Sequence, residues 1–494
     1  MSLRCFLSLI GMWSLLVAGA SFFPSTGRGV EFSKAAWLED YRALKRCLEI
    51  GYANLDSARQ SRKVDLVALD AKTRQALERA TSDGEAKEIL KTFLQAFDDW
   101  HLKLGEVDEP AAENKPAPVF KLATTGAEIC KEFGFRGRSN RFSLPFESLP
   151  GFQMVSIDKD VFSTATLQLD NGKRLGLLRI ALFAPSAYPR VCETGWEAFR
   201  QTQKADCDAE CQNRFYYFVQ NQLSETLARQ IKTLQARQIA GLVVDIGGNG
   251  GGTEWADLAA RILAANPLKS PMQNVVRHAR DVTRFEQRLQ LIETDLKQSD
   301  LSAEQRRLLE LAKARLTASL NDARTAKPCD KSDIWSAPDG GAKCSSLQAV
   351  ASFSSGALDY APRGLLNGLK AKEALFGASL HEYQESAFSG PLFVLVDQKT
   401  ASASEYFAAV LQDNAAAKII GERTWGLGCG YTYGGIKWVL PNSRLRVLIP
   451  DCVRYRKDGS NEYEGVRPDA AIWAKDDNKA TRLAKLLRAL SELR

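Results

Sequence analysis

The sequence predicts an α/β protein with a helical N-terminal region and a helical hairpin inserted into its α/β core. Two nearly continuous apolar runs, residues 242–246 and 392–396, each lead through a turn into a helical pattern. Such runs are typical of parallel strands covered on both faces. Apolar side chains recur at helical spacing in residues 33–104 and again in residues 281–322. Since 494 residues exceed the usual size of one core, two or three domains are expected.

The first twenty residues have the pattern of an export signal. A positive start is followed by an apolar run at residues 5–17 and by the small residues Ala18, Gly19 and Ala20. This pattern predicts a cleavable signal peptide over residues 1–20 and a periplasmic or secreted protein with no membrane span in the mature chain. A membrane anchor is the alternative, but the run is shorter than the ~20 residues that span a bilayer.

Cysteine content agrees with an oxidising compartment. Ten cysteines are present, of which nine follow the predicted cleavage point. Disulfides are therefore expected, and the odd count leaves one thiol over. Several buried thiols without disulfides are the alternative. The local candidate pairs are Cys207/Cys211, Cys329/Cys344 and Cys429/Cys452.

Helical spacing defines the N-terminal and inserted regions. Residues 21–108 are predicted as a helical domain that carries His101, with Ser82 and Glu85 forming a capping box. Residues 109–165 are predicted as a linker and a small β-rich segment with no clear PDZ domain. The hairpin at residues 277–326 is interpreted as a surface elaboration or an oligomer contact.

Residues 166–276 and 327–475 are assigned to the α/β core, and residues 476–494 to a C-terminal helix. The net charge of +7 is spread along the chain, so no nucleic-acid partner is predicted. No metal or cofactor is predicted either. His381-Glu382 is not followed by the second histidine that a zinc peptidase motif requires.

The strongest local signal for chemistry is the segment from Thr400 to Glu405, directly after the second apolar run. A strand, a turn of small residues and a helix would expose Ser402 at the positive end of that helix, where backbone N–H groups can hold an oxyanion. The alternative is an ordinary helix N-cap.

A glycine-rich loop, residues 247–252, follows the first apolar run and can also offer backbone N–H groups to an anion. Its spacing fits neither nucleotide-binding glycine motif, so an oxyanion hole is the better interpretation.

Two further elements could complete a catalytic group. His101 continues the row of Phe93 and Phe97 by one more step of four, which predicts an inward-facing side chain at a helix end. A hydrogen-bonded core histidine is its alternative. Glu462 and Glu464 precede a Gly-Val-x-Pro-Asp turn, where a carboxylate could orient a histidine. A solvated acidic loop is the alternative there.

Together these segments resemble the carboxyl-terminal processing, or tail-specific, proteases. The strand and glycine loop at residues 242–252, the segment 394–428 and the segment 438–469 follow one another in that family's order. The resemblance implies a crotonase/ClpP-like β/α core. It also implies Ser402 as nucleophile, with an oxyanion hole formed by the N–H of Ala403 and that of Gly251 or Gly252.

One position departs from the Ser–Lys members of this family. The lysine that serves them as base is Leu427 here, and leucine cannot accept a proton. A branch that includes tricorn protease and the chlamydial protease-like activity factor uses serine, histidine and glutamate instead. Resemblance to this branch implies His101 as general base and Glu462 as its orienting carboxylate. Glu464 is the fallback, and Asp413 and Glu405 have supporting roles.

The sequence therefore predicts an exported serine endopeptidase that cleaves extracytoplasmic polypeptides through an acyl-enzyme. The main alternative is a non-catalytic protein on the same fold that binds a peptide or an apolar ligand. A periplasmic scaffold that works through the hairpin is a third hypothesis. The pattern predicts no oligomeric state and no recognition of a free C-terminus.

Overall fold

The computed structural model describes residues 32–106, 119–155, 161–325, 327, 329–337, 344–432 and 434–492. These residues form two compact units. The helical unit comprises the described residues of 1–113, 327–346 and 431–451. The sheet unit comprises those of 114–326, 347–430 and 452–494. The predicted signal peptide and most of the predicted linker, residues 109–118, lie outside the described residues.

The described residues contain thirteen α-helices and thirteen β-strands. The helices are α1 (Lys34–Gly51), α2 (Leu55–Gln60), α3 (Leu66–Arg79), α4 (Asp83–Gln95), α5 (Gly126–Glu132), α6 (Pro189–Arg200), α7 (Ala209–Gln235), α8 (Trp255–Leu263), α9 (Ala279–Leu296), α10 (Ala303–Thr325), α11 (Lys372–Leu375), α12 (Ala403–Asp413) and α13 (Lys479–Glu492). The strands are β1 (Lys103–Gly105), β2 (Phe152–Met154), β3 (Ser163–Gln168), β4 (Arg174–Arg179), β5 (Gly241–Asp245), β6 (Met272–Val275), β7 (Ser352–Phe353), β8 (Leu392–Val396), β9 (Lys418–Gly421), β10 (Ile436–Val439), β11 (Arg446–Ile449), β12 (Cys452–Arg454) and β13 (Ala470–Ala471).

In the helical unit, four helices pack around one apolar core. Trp37, Tyr41, Leu44 and Leu48 are buried along one face of α1, as their spacing predicts. Ser82 caps α4 by accepting the Glu85 N–H at 3.3 Å. A three-stranded antiparallel sheet in the order β1-β11-β10 completes this unit.

Two segments that the sequence assigned to the α/β core group with the helical unit instead. Residues 431–451 supply β10 and β11, and β11 pairs with β1. Val447 and Ile449 are fully buried in the same apolar cluster as the helices. Residues 327–346 add Trp335, whose indole N–H donates to Glu49 at 2.9 Å. Non-local strand pairing and side-chain burial decide this grouping, and neither is visible in a local pattern.

The sheet unit is built on a seven-stranded mixed sheet in the order β13-β9-β8-β5-β4-β3-β2. The five strands from β13 to β4 are parallel, and β3 and β2 continue antiparallel. The two predicted apolar strands, β5 and β8, are neighbours at the centre of this sheet. Helices and a mixed central sheet confirm the α/β class. A smaller sheet, β12-β6-β7, belongs to the same unit.

Helices α9 and α10 form an antiparallel hairpin between strands β6 and β7. Glu286 pairs with Arg324 near one end, whereas Leu296 accepts a hydrogen bond from Arg306 near the other. Leu309, Leu316 and Ile292 are buried along its apolar stripes. Among the described helices, none is both long and apolar enough to cross a lipid bilayer.

Four disulfides are present among the described cysteines. The three local pairs expected from sequence are formed, and Cys130–Cys192, with a sequence separation of 62, was not expected. Cys47 keeps a buried thiol. Cys429 and Cys452 both lie in the sheet unit, just outside the two ends of the segment 431–451.

Candidate active site

Ser402 lies at the N-cap of α12, after the turn that follows β8. Its backbone has φ 55° and ψ −120°, a left-handed conformation that costs a non-glycine residue about 1–3 kcal/mol. An ordinary N-cap serine adopts extended backbone angles instead. Ser402 and Glu405 form a capping box, but the left-handed backbone of the half-buried Ser402 is not that of an ordinary N-cap, and this strain marks the turn as a candidate functional position.

The glycine loop approaches this turn so closely that no side chain fits between them. A Cβ atom added to Gly251 would lie 2.8 Å from the Ser402 Cβ and 3.0 Å from the Ala403 nitrogen. Gly251 also has φ 113°, which favours glycine. Glycine at 251 is thus required both by the backbone angle and by the contact with the serine turn.

Two of the predicted oxyanion donors, Ala403 and Gly252, have backbone N–H groups that donate no hydrogen bond among the described residues. Ala403 is the first residue of α12, so its N–H has no acceptor within the helix. Within the described part of the chain, the Gly252 N–H likewise meets no acceptor. Gly251, in contrast, donates its N–H to the Asn249 Oδ1 at 3.0 Å. This geometry favours Gly252 over Gly251 as the second donor.

Asn249 ties the glycine loop to the serine turn, a role that the sequence pattern did not identify. Its carbonyl oxygen accepts the Ala401 N–H at 3.0 Å. Its Nδ2 donates to the Ile180 carbonyl at 3.0 Å, and the residue is fully buried. An asparagine within a run of glycines is the only signal that could have pointed to it.

Glu405, on the first turn of α12, is a fully buried acceptor for five donors. It accepts hydrogen bonds from the Ser402 N–H at 2.8 Å and the Thr424 hydroxyl at 2.6 Å. The backbone N–H groups of Gly426, Leu427 and Gly428 supply the other three. Burial raises the pKa of Glu405, and the nearby charge of Glu462 raises it further against the opposing hydrogen bonds. This carboxyl therefore joins the serine turn to the loop that holds Leu427.

By the resemblance drawn from the sequence, Leu427 corresponds to the base of the Ser–Lys proteases. Leu427 lies in the sheet unit, and its side chain is 2% exposed. Its backbone N–H donates a hydrogen bond to the Glu405 carboxylate. The alkyl side chain of Leu427 cannot accept a proton, so it cannot act as a base.

Glu462 lies in a short 3-10 helix, Glu462–Glu464, and is 2% exposed. Its Oε2 pairs with the Arg454 guanidinium, which also stacks 4.9 Å above the Tyr406 ring. Its Oε1 is buried and, among the described residues, accepts no hydrogen bond. One oxygen of this carboxylate is thus compensated by a cation and the other remains open.

The other two predicted supporting residues contact the surroundings of this cluster. Asp413, at the C-terminal end of α12, forms a two-pronged ion pair with Arg456, at 2.8 and 3.0 Å. The Glu464 carboxylate lies 3.9 Å from the Arg467 guanidinium. The Asp413 pair holds the chain that follows β12, whereas the longer and more exposed Glu464 pair contributes little.

His101 belongs to the helical unit, where the helix expected to carry it ends early. Helix α4 stops at Gln95, and Asp98 has φ 51°, which breaks the helical row before His101. His101 lies instead in the turn before β1, and its side chain is 13% exposed. The expectation of a histidine on the helix is therefore wrong, although its side chain is largely buried.

Side chains of the helical unit surround His101. The Asp99 Oδ1 lies 3.2 Å from the His101 Nδ1 and accepts the His101 backbone N–H at 2.9 Å. The Tyr431 hydroxyl donates to the His101 carbonyl, and the two rings are 5.5 Å apart, edge to face. Asp99 was not identified from the sequence, where only its position two residues before His101 could have suggested it.

Within the sheet unit, the structure brings together Ser402, Ala403, the glycine loop and Glu405, and places Glu462 near Glu405. No cluster of three or more histidine, cysteine or acidic side chains suited to a metal ion occurs in the part of the chain that is described. The fold and this cluster define an α/β protein with a strained serine packed against a glycine-rich loop.

The chain belongs to peptidase family S41, whose family model matches residues 214–472, more than half of its length. This confirms the resemblance inferred from the three motifs. The "Carboxyl-terminal-processing protease" of Synechocystis sp. is 57% identical over 44 residues, which are 9% of this chain and 10% of that protein.

The "Tail-specific protease" of Haemophilus influenzae is 31% identical over 107 residues, 20% of this chain and 15% of that protein. The chain thus matches only a small share of these curated relatives' lengths. The crystal structure of mature CPAF is 16% identical with a TM-score of 0.56, covering 93% of this chain and 97% of that one. That likeness concerns the fold.

Proposed function

We propose that this chain is an exported serine endopeptidase that cleaves extracytoplasmic polypeptides through an acyl-enzyme on Ser402. The observation that carries the proposal is the left-handed Ser402 at the start of α12, with the Gly251 backbone packed against it. Membership of a peptidase family supports the same conclusion. A crotonase/ClpP-like core and a periplasmic or secreted location are part of this proposal.

In the proposed reaction, the Nε2 atom of His101 accepts the proton of the Ser402 hydroxyl as the Oγ attacks the scissile carbonyl carbon. The N–H groups of Ala403 and Gly252 hold the oxyanion of the tetrahedral intermediate. The C–N bond then breaks, and the leaving amine takes the proton from His101. Water, activated by the same imidazole, hydrolyses the acyl ester and restores the hydroxyl.

The orienting carboxylate in this proposal is Glu462, with Glu464 as the alternative. Support comes from the open Oε1 of Glu462 and from its burial near Glu405. Histidine rather than lysine is proposed as base because Leu427 occupies the lysine position. Carboxyl-terminal processing, which the name of the Synechocystis relative states, is not proposed for this chain.

Labelling with a fluorophosphonate probe tests the proposal directly. The wild-type chain should be labelled at Ser402, and Ser402→Ala should lose both labelling and peptide hydrolysis while its thermal unfolding is unchanged. His101→Ala should lower both rates by about 10²–10⁴-fold, the usual range for acid–base help. Ser389→Ala removes an exposed hydroxyl of the same unit and serves as the matched control.

A non-catalytic binding protein on the same fold is the second candidate, because the lysine base of many relatives is absent. That protein would bind peptides without being labelled. Wild-type chain that is folded but neither labelled nor hydrolytic would favour it and would reject the peptidase.

A further inference from the structure

The sheet unit contains a cavity of about 270 Å³ that none of the candidate active-site residues lines. Its walls come from residues 361–367 and 372–383, which include α11 and a short 3-10 helix, Gly377–Leu380. Pockets for drug-sized molecules have volumes of ~300–1,000 Å³, so this cavity suits a smaller ligand.

The charged side chains of the wall have a positive balance. Arg363 and Lys372 both line the cavity, and within the described residues neither forms an ion pair. Glu382 is the one acidic side chain among the described residues that line it, so two cations face one carboxylate. His381 also lines the cavity, but burial lowers its pKa to about 4, with Lys372 adding to this shift against the charge of Asp257. The imidazole is therefore uncharged at neutral pH.

The apolar part of the wall is aromatic and is held from behind. Phe376 and Tyr383 line the cavity although both are largely buried. The guanidinium of the buried Arg261 lies 4.7 Å from the centre of the Phe376 ring and donates to Asp257 at 2.9 Å. The Arg363 guanidinium lies 5.6 Å from the centre of the Tyr383 ring. Cationic and aromatic groups thus meet on one fixed surface.

We propose that this cavity binds a small organic carboxylate, with Arg363 and Lys372 holding its charged oxygens and the Phe376 ring contacting its carbon atoms. Guanidinium and ammonium groups form strong charge-assisted hydrogen bonds with carboxylates. An inorganic oxyanion could also pair with the cations, but it would leave the aromatic surface without a partner. The inference does not depend on the proposed peptidase function, because it uses none of the residues of that site.

Titration calorimetry of the full chain with succinate tests the inference. Succinamide is the uncharged analogue, and inorganic phosphate is an anion without carbon. Succinate should bind about tenfold or more tightly than either. Lys372→Met and Arg363→Gln should each weaken succinate binding by about tenfold. Lys370→Met, which removes an exposed lysine outside the cavity wall, is the matched control and should change the affinity by less than about twofold.

Two further variants sharpen the test. Glu382→Gln removes the opposing charge and should tighten succinate binding by about two- to threefold. Ser402→Ala should bind succinate like the wild type, whereas a loss there would assign the ligand to the candidate active site and overturn the inference. The inference would also be overturned if wild type showed no saturable binding of succinate at millimolar concentrations, or if succinamide or phosphate bound as tightly as succinate. Equal effects of Lys370→Met and Lys372→Met would reject it as well.

Discussion

The turn that carries Ser402 and the turn that carries His101 are held in place by different means. Around Ser402 the contacts are mostly with backbone: the Asn249 carbonyl, the Gly251 main chain and the Ser402 N–H bound to Glu405. Around His101 they come mainly from the side chains of Asp99 and Tyr431. Because backbone contacts hold the Ser402 turn, few substitutions should be tolerated at the glycines of the loop or at the buried Glu405. The position of His101 depends instead on a few polar side chains.

The largest loss of stability is expected on removal of Glu405, the side chain that accepts hydrogen bonds from four backbone N–H groups and one hydroxyl. Glu405→Ala leaves five donors without their acceptor and should lower the free energy of unfolding by about 3–5 kcal/mol, measured in urea. Ser404→Ala is the matched control. Within the described structure its buried hydroxyl meets no hydrogen-bond partner, so its loss should cost under about 1 kcal/mol. Equal losses in both variants would mean that Glu405 does not organise this turn.

The second largest effect, a loss of activity, is expected when the close contact between the glycine loop and the Ser402 turn is disturbed. In Gly251→Ala the new methyl group would lie 2.8 Å from the Ser402 Cβ, so the serine turn must shift. A displacement near 1 Å should reduce kcat/KM by about 100-fold. Gly250→Ala, where a Cβ meets nothing within 4 Å, should retain most activity. Comparable losses at positions 250 and 251 would contradict the steric explanation.

The sequence was informative about the serine turn because each part of it is local. A buried strand, a turn of small residues and a helix follow one another directly, and the same holds for β5 and the glycine loop. The mixed α/β class follows from the same two apolar runs. Ser402 could therefore be singled out without any knowledge of long-range contacts.

The surroundings of His101 could not be predicted in this way. Helical spacing favoured a continued helix, but the left-handed Asp98 interrupts it. Tyr431 reaches His101 from 330 positions further along the chain, through a strand pair that no local pattern specifies. Cys130–Cys192 was missed for a similar reason, because the other three pairs are at most 23 residues apart.

A third prediction sharpens the contrast between histidines of the two units. Burial lowers the pKa of His381, in the sheet unit, to about 4, with Asp257 opposing this shift and Lys372 adding to it. The unfolded chain takes up this proton near pH 6.5, so stability falls as the pH decreases from 6.5 to about 4. In His381→Gln the loss of unfolding free energy between pH 7 and pH 4.5 should be about 2 kcal/mol smaller than in wild type. If the unfolding free energies of wild type and His381→Gln, measured in urea, changed equally with pH, this prediction would be contradicted.

The smallest effect is expected from a single polar group beside His101. Tyr431→Phe removes the hydroxyl that donates to the His101 carbonyl, a net interaction of about 0.5–1.5 kcal/mol. Hydrolysis should fall by up to about tenfold with an unchanged pH profile. Tyr360→Phe, the same change in the sheet unit, should leave the rate unaltered. A hundredfold loss in Tyr431→Phe would show that the contact does more than hold the carbonyl.

The strand pairing of β11 with β1 also bears on how the chain acquires its structure during synthesis. The N-terminal helices are made first, yet two of the three strands in their unit come from residues 436–449, more than 330 positions later. Vectorial folding from the N-terminus would leave those helices with part of their apolar surface uncovered until most of the polypeptide has emerged. Formation of the Cys429–Cys452 disulfide would close the segment between these cysteines into a short loop. This would reduce the conformational entropy lost when β11 pairs with β1.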